Sequence, residues 1–201
     1  MEIIFATGNQ NKLREFKQIL SGTDALILSM KEAGFAGDIE ENGSTFEENA
    51  LIKARTIAKA TGKLTLADDS GLEVDYLNKE PGIYSARYLG EDTPHSVKNA
   101  SLIERLRGVP DEKRTARFVC AVAAVFPDGT EKVLRRTMEG IIAYEPAGTN
   151  GFGYDPIFYL PDRHCTNAEL TPDEKNAISH RGKALRAMCE ELIASGYVKY
   201  D

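Results

Sequence analysis

The segment LTLADDSGLEV, residues 64–74, places two adjacent carboxylates, Asp68 and Asp69, at the end of an apolar run. Carboxylate oxygens are hard ligands that suit Mg²⁺, and a carboxylate can also accept a proton from water. If the apolar run is a strand of an α/β sheet, its end lies where such folds bind ligands. Asp-Asp-Ser-Gly is also an ordinary turn composition, so a plain turn is the alternative interpretation.

A second candidate is ATGNQNK, residues 6–12, which joins a predicted strand to a predicted helix. Backbone N–H groups at the start of a helix can hold phosphate, and Lys12 could add a positive charge. The segment matches neither the GxxxxGK[ST] nor the GxGxxG spacing. On its own it is also compatible with a turn followed by a helix cap.

Lys53 has an unusual position on a predicted helix. Seven residues after Phe46, it returns to nearly the same angle, on the apolar stripe of Ala50 and Ile57. Such a lysine either extends its ammonium to solvent or meets a buried anion, which would be a phosphate or a carboxylate. The acidic segment DIEENGSTF, residues 38–46, precedes this helix. Acids are favourable there for dipole reasons alone, or one glutamate reaches a metal.

Two later segments could contact a flat ligand. In EPAGTNGFGYDPIF, residues 145–158, glycines that permit close backbone approach alternate with aromatic residues that offer a stacking surface. A flexible loop over the core is the alternative. EKNAISHRGKAL, residues 174–185, brings Lys175, His180 and Arg181 near a helix start as potential donors. A lone histidine is usually structural, but one beside an arginine in an acidic protein is less easily explained that way.

The secondary structure predicted around these residues indicates an α/β protein with a mixed sheet. Strands and helices alternate early in the chain, and a hairpin follows. Predicted strands lie at 2–6, 25–30 and 64–67, and the hairpin pairs 115–126 with 131–143 around Asp128-Gly129. Predicted helices begin near Asn11, at a capping box on Ser44 and Thr45, at Pro94 and between Ser179 and Gly182, with a further capping signal at Thr171. His95 and His164 are assigned to loops.

The composition describes one acidic domain, residues 1–201, with 42% apolar residues. A net charge of -6 is a poor match to a nucleic-acid polymer, although a divalent metal could bridge the protein to a small anion. The longest apolar run, FVCAVAAVF, is too short to span a membrane, and the N-terminus lacks the features of a signal peptide. Three widely spaced cysteines without a CxxC pair favour a reducing cytoplasm.

The order of six segments resembles the inosine/xanthosine triphosphate pyrophosphatase family. These segments are TGNQNK, TFEENALIKAR, ADDSGL, PGIYSARY, EPAGTNGFGYDPIF and ELTPDEKNAISHRG. The resemblance implies an elongated mixed sheet with flanking helices that form two lobes around a substrate cleft, usually in a homodimer. It implies Mg²⁺-dependent hydrolysis of non-standard purine nucleoside triphosphates (ITP, dITP and XTP) between the α and β phosphates, which releases pyrophosphate.

The resemblance also assigns roles to residues of this chain. Phosphates would be held by Thr7, Gly8, Asn9, Gln10, Asn11, Lys12 and Lys175, and Ser70 would touch the substrate. The base would be surrounded by Phe152, Gly153, Tyr154, Asp155, His180 and Arg181. Glu40 and Asp69 would hold Mg²⁺, and Asp69 would also be the catalytic base. Glu40 is chosen over Glu41 only by alignment of the glutamate pair, and relatives often have a glycine where this chain has Asn11.

A mechanistic hypothesis follows for the remaining charged residues. Lys53, with Lys12 and Lys175, would stabilise the charge that develops on the leaving pyrophosphate. Because adjacent strand residues point to opposite faces, Asp68 would brace the site rather than face the substrate. Donors from His180 or Arg181 to the 6-oxygen of the base would disfavour adenine, whose 6-amino group is itself a donor.

Three other interpretations compete with this one. A second nucleotide pyrophosphatase family with a similar fold has a Ser-rich, Arg-containing N-terminal turn, which TGNQNK does not match. A non-catalytic nucleotide-binding module would need no catalytic base. A purely structural protein would not explain Lys53 on an apolar stripe.

Overall fold

The computed structural model describes residues 1–200, apart from the side chain of Asn11. The described strands are β1 (Glu2–Phe5), β2 (Leu26–Ser29), β3 (Thr65–Val74), β4 (Thr115–Val125), β5 (Glu131–Ile142), β6 (Phe158–Leu160) and β7 (Cys165–Thr166). The described α-helices are α1 (Gln10–Ile19), α2 (Phe46–Thr61), α3 (His95–Arg105), α4 (Pro172–Ile178) and α5 (His180–Ala194). Within residues 1–200, no helix combines the length and apolarity needed to cross a membrane.

The strands form a mixed sheet in the order β2-β1-β3-β4-β5-β6-β7. β1 pairs in parallel with both β2 and β3, whereas β6 pairs in antiparallel fashion with β5 and β7. β4 and β5 are the two strands of the predicted hairpin, whose turn is closed by a hydrogen bond of 2.9 Å from the Phe126 N–H to the Thr130 carbonyl. The predicted mixed α/β class is therefore confirmed.

The described chain divides into two compact units, each with its own core. The core of unit 1 includes Phe5 and Phe16, whose ring centroids are 4.6 Å apart. The core of unit 2 includes Phe118 and Phe158, at 4.4 Å. Neither unit is continuous in sequence: unit 1 comprises 1–69, 120–136 and 181–201, and unit 2 comprises 70–119 and 137–180.

The helix starts follow the predicted capping signals. The Thr45 side chain accepts a hydrogen bond from the Glu48 N–H at 3.1 Å, and α2 begins one residue later. The predicted apolar stripe of this helix is buried, and it comprises Phe46, Ala50, Ala54 and Ile57. Thr171 forms a complete capping box with Glu174 at the start of α4. Local side-chain chemistry therefore sets these two boundaries.

Two local predictions were wrong, and two short strands were missed. β3 does not end at Ala67 but continues through the acidic pair to Val74, so Asp-Asp-Ser-Gly is not a turn. The reason is that Leu72 and Val74, further along the strand, are fully buried in the core of unit 2. His95 opens α3 instead of lying in a loop, with Pro94 as its N-cap. The short strands β6 and β7, of three and two residues, were not predicted.

Candidate functional site

In unit 1, Lys53 turns inward from α2 and meets two carboxylates. Its Nζ donates to Glu41 Oε2 at 2.8 Å and lies 3.5 Å from Asp69 Oδ1 on β3. The lysine side chain is only 13% exposed, so the ammonium does not extend to solvent. Of the two interpretations open from the sequence, the structure therefore shows the inward one, with carboxylates as the anions.

The surroundings shift the pKa values of both partners. Burial raises the pKa of Asp69, and the negative charges of Glu41 and Asp68 add to this, against the opposing effect of Lys53 and Lys12. Burial lowers the pKa of Lys53, but Asp69, Asp68 and Glu41 outweigh it, so the net shift is upward. Lys53 therefore remains a cation at neutral pH. Asp69 binds a proton more readily than an exposed aspartate, which suits a general base.

Asp68 is fully buried and holds two of the predicted substrate-binding cations. Its Oδ2 accepts a hydrogen bond from Lys12 Nζ at 2.7 Å and lies 3.5 Å from Arg181 Nε. Arg181 Nη1 also donates to Glu15 at 3.1 Å. Burial raises the pKa of Asp68, but the charges of Lys12, Arg181 and Lys53 outweigh it and lower this pKa to about 2. Beside this network on β4, burial raises the pKa of the Cys120 thiol to about 12.

The turn before α1 is organised by its own side chains. Thr7 Oγ1 accepts from the Asn9 N–H at 3.1 Å, and Asn9 Oδ1 accepts from the Lys12 N–H at 3.3 Å. Gly8, Asn9 and Gln10 are exposed. The predicted role of Asn11 falls on a side chain outside the described part of the chain. This turn leads into the N-terminus of α1 with three exposed residues, a geometry that is compatible with an anion.

In unit 2, the carboxylate of Asp155 organises the 145–158 segment. Its Oδ2 accepts from the Phe152 N–H at 2.8 Å and from Lys175 Nζ at 2.5 Å, and its Oδ1 accepts from Asn167 at 2.6 Å. Lys175 Nζ also lies 4.7 Å from the centre of the Phe152 ring. Gly151 has φ +75°, and a Cβ there would lie 2.1 Å from Asp155 Oδ2, so only glycine fits.

The same segment is held by α3, the helix that the sequence predicted to begin at Pro94. Its contacts with this segment were not predicted. Asn99 donates to the Gly153 carbonyl at 3.1 Å, and the His95 ring meets the Tyr154 ring edge-on with centroids 5.3 Å apart. Tyr154 in turn donates to the Ser85 carbonyl at 2.6 Å. The i, i+4 spacing of His95 and Asn99, which puts them on one face of α3, was the available signal.

The predicted His180-Arg181 pair divides between the units. His180 stacks on Phe118 in unit 2, with ring centroids 5.0 Å apart and planes 15° from parallel. Arg181 is buried in unit 1 on Asp68 and Glu15. Ser70, the first residue of unit 2, is half-buried on β3.

The glutamate of the predicted pair that contacts the acidic site is Glu41. Its carboxylate binds Lys53, whereas Glu40 is exposed. Within residues 1–200, Asp69 Oδ2 and Asp68 Oδ1 are buried without a hydrogen-bond partner, and no group of three or more His, Cys, Asp or Glu is arranged to hold a metal. Mg²⁺ commonly binds through one or two carboxylates and completes its shell with water and substrate phosphate. The acidic site fits such an ion.

Comparison with known proteins gives full-length matches. The sequence profile of the Ham1 family matches residues 3–191. The dITP/XTP pyrophosphatase of Bacillus licheniformis is 50% identical over 93% of this chain and 95% of its own length, and that of Bacillus subtilis is 49% identical over 96% and 98%. The solved Ham1 protein of Staphylococcus aureus has a TM-score of 0.90 and 44% identity, covering 97% of this chain and 100% of that one. A nucleoside-triphosphatase / dITP/XTP pyrophosphatase from Mycobacterium abscessus has a TM-score of 0.79 and 46% identity over 94% of this chain and 98% of that one.

Proposed function

Because this chain belongs to the Ham1 family, we propose that it hydrolyses ITP, dITP and XTP to the nucleoside monophosphate and pyrophosphate. Such a nucleoside triphosphate pyrophosphohydrolase removes damaged purines from the nucleotide pool. The observation that carries the proposal is the buried contact of Lys53 with Glu41 and Asp69, inside a chain about half identical to dITP/XTP pyrophosphatases. A binding module would need neither a base with a raised pKa nor a lysine beside it.

The proposed chemistry at unit 1 uses Asp69 as the general base. Asp69 takes a proton from the water that attacks the α-phosphorus, and burial favours this because it raises the pKa of the carboxylate. Lys53 and Lys12 stabilise the charge on the leaving pyrophosphate, and the turn 7–12 binds phosphate oxygens. Mg²⁺, held by Asp69 and a glutamate of the 40–41 pair, would neutralise phosphate charge. The contact of Glu41 with Lys53 favours Glu41 for this role over Glu40.

The proposed base recognition uses unit 2. Phe152 is 47% exposed and offers a ring on which a purine can stack. Gly153, Tyr154 and Asp155 shape the same segment. We assign Lys175 to it as well, in place of the phosphate role that the resemblance implied, because Lys175 binds Asp155 and lies over the Phe152 ring. His180 and Arg181 are proposed to donate to the 6-oxygen of the base. A 6-amino group facing those donors would leave polar groups unpaired, which disfavours adenine.

We further propose that the enzyme acts as a homodimer in the cytoplasm. The dimer is implied by the family resemblance of the sequence. A reducing compartment is supported by the cysteines, which are all free: Cys120, Cys165 and Cys189.

Product identity is the experiment that tests the function. The protein is incubated with Mg²⁺ and dITP, XTP, dGTP or dATP, and pyrophosphate is assayed separately from orthophosphate. We expect pyrophosphate from dITP and XTP, with little from dGTP or dATP. Orthophosphate alone would place the cut at another bond and overturn the proposal. Binding without turnover would support the binding module instead.

A further inference from the structure

Asn167, directly after β7, is a buried side chain that the proposed function does not yet use. Its exposure is 0%, and its Nδ2 donates to Oδ1 of Asp155, which is 3% exposed. The distance of 2.6 Å is short for a hydrogen bond to a carboxylate from a neutral donor. The other end of the amide, Oδ1, is buried without a hydrogen-bond partner within residues 1–200.

The Asn167 amide uses its donor but not its acceptor, which indicates a role beyond packing. A buried carbonyl without a donor lowers stability, and an apolar side chain of the same shape would fill the space without that penalty. The amide therefore contributes through its donor, and the group that receives this donor is the Asp155 carboxylate. A residue that breaks the packing rule in this way is expected at a functional site.

The other contacts of Asp155 show what the Asn167 amide contributes. Phe152 N–H and Lys175 Nζ both bind Oδ2, whereas Asn167 binds Oδ1. Contacts at only one oxygen would let the carboxylate plane rotate about its Cβ–Cγ bond, since that torsion is broad in aspartate. A donor at the second oxygen fixes this rotation. Fixing it holds Lys175 over the Phe152 ring, where its Nζ lies 4.7 Å from the centroid.

We propose that Asn167 is a positioning residue for purine recognition, which acts by orienting the Asp155 carboxylate and thereby Lys175 and Phe152. The inference rests on the proposed function, because it assumes that this segment receives the base. Asn167 acts through Asp155 and need not touch the substrate itself.

Two variants separate the hydrogen bond from the volume of the side chain. Asn167→Leu keeps the branched shape and loses the donor, and Asn167→Ala loses both. We expect both variants to raise KM for dITP by about tenfold, because one hydrogen bond to a charged group is worth roughly that factor. We expect kcat within about twofold of wild type, because positioning of the base adds uniform binding. Inhibition by pyrophosphate, which has no base, should be unchanged.

Hydrogen exchange provides a readout that does not depend on the substrate. The Phe152 amide, which donates to Asp155, should exchange faster in both variants than in wild type. Tyr144→Phe is the matched control, because it removes another 2.6 Å hydrogen bond to a carboxylate, that of Asp111, in the same unit. This control should change neither KM nor the exchange of Phe152.

The outcomes distinguish failure of the Asn167 inference from failure of the proposed function. If Asn167→Leu matches wild type in KM and in Phe152 exchange, the side chain only fills space and the inference is overturned. A fall in kcat or a change in pyrophosphate inhibition would also overturn it, because the effect would then not be confined to the base. A wild-type protein that releases no pyrophosphate from dITP would overturn the proposed function, and the exchange experiment would still test the role of Asn167.

Discussion

Lys53 shows that a single charged residue on the apolar face of a helix can indicate a functional site. Because the side chain is buried on the apolar stripe, its ammonium needs an anion, and Glu41 and Asp69 provide it. We expect Lys53→Met to fold and to lose about 10²-fold or more in kcat for dITP, because it removes charge stabilisation from the reacting phosphates. The control is Lys63→Met, which removes an exposed ion pair with Glu2. Near-normal turnover by Lys53→Met would mean that the lysine serves only the fold.

The two adjacent aspartates should respond differently to the same substitution. Asp69→Asn should retain the wild-type melting temperature and lose about 10²- to 10⁴-fold in kcat, because the base is removed. Asp68→Asn should lower stability by about 3 kcal/mol, because it leaves the buried cations Lys12 and Arg181 without their shared carboxylate. Thermal melts and single-turnover rates on both variants check this. Equal effects would show that the alternation of faces along β3 does not separate their roles.

The glutamate pair offers a direct test of the proposed metal ligand. Glu41→Gln should raise the Mg²⁺ concentration needed for half-maximal rate by about tenfold or more, since loss of even an outer-shell partner typically weakens metal binding by about 10- to 100-fold. Glu40→Gln is the matched control, because its side chain is exposed, and it should behave as wild type. Titration of the rate with Mg²⁺ at saturating dITP measures both. A shift in Glu40→Gln alone would restore the assignment made from the sequence.

At the scale of elements, Asp75 joins the end of β3 to β4. Its carboxylate accepts from both Arg117 Nη1 and Nη2 at 2.9 Å, from Thr115 at 2.7 Å and from Lys79. The hydrogen bonds from Arg117 lower the pKa of Asp75 most, burial opposes this, and Lys79 and Thr115 add to the lowering. The folded pKa lies below the unfolded one, so the stabilisation is present above about pH 4 and is lost as pH falls through the folded pKa.

Asp75→Asn should therefore be less stable than wild type by about 1–2 kcal/mol at pH 7, at the lower end because the carboxylate is partly exposed. The difference in unfolding free energy should shrink as pH falls below about 4. Urea titrations at a series of pH values measure it. Glu104→Gln, which loses an ion pair between exposed side chains, should show no such trend. A constant difference across the pH range would contradict the role of the ionised carboxylate.

The elements that the sequence predicted are those with local signals. α2 followed from its capping box and apolar stripe, and the β4–β5 hairpin from the Asp128-Gly129 turn between two strand-like segments. The continuation of β3 through the acidic pair was missed, because its cause is the distant core around Leu72 and Val74. Asn167 was missed for the same reason, since only the fold brings it to Asp155 across 12 residues of sequence. Lys53 was predictable because its helical position conflicted with its charge.

At the scale of the whole molecule, the two units are interleaved along the chain. β3, β4 and β5 each contribute residues to both units, because the boundaries at 69/70, 119/120 and 136/137 fall inside these strands. A cut at any of these boundaries would divide a strand and separate segments of unit 1, and a cut at 119/120 or 136/137 would also separate the two segments of unit 2. Neither unit is therefore expected to fold as a contiguous fragment, and variants should be made in the full chain.

The proposed homodimer predicts a particle mass. One chain has a mass of 22.1 kDa, so light scattering on the eluted peak of a sizing column should give twice that value. Dilution should leave the mass unchanged over the concentrations used in the assay, because obligate dimers bury large apolar interfaces. A mass of one chain at those concentrations would contradict the proposed dimer and leave the other proposals standing.

The thiol of Cys120, beside the network of Asp68 and Arg181, has a consequence for damage by oxidants. Peroxides and electrophiles react with the thiolate, and with a pKa of about 12 only roughly one molecule in 10⁵ carries it at pH 7. Burial of the sulfur further restricts access. The thiol beside this charged cluster is thus in its least reactive form.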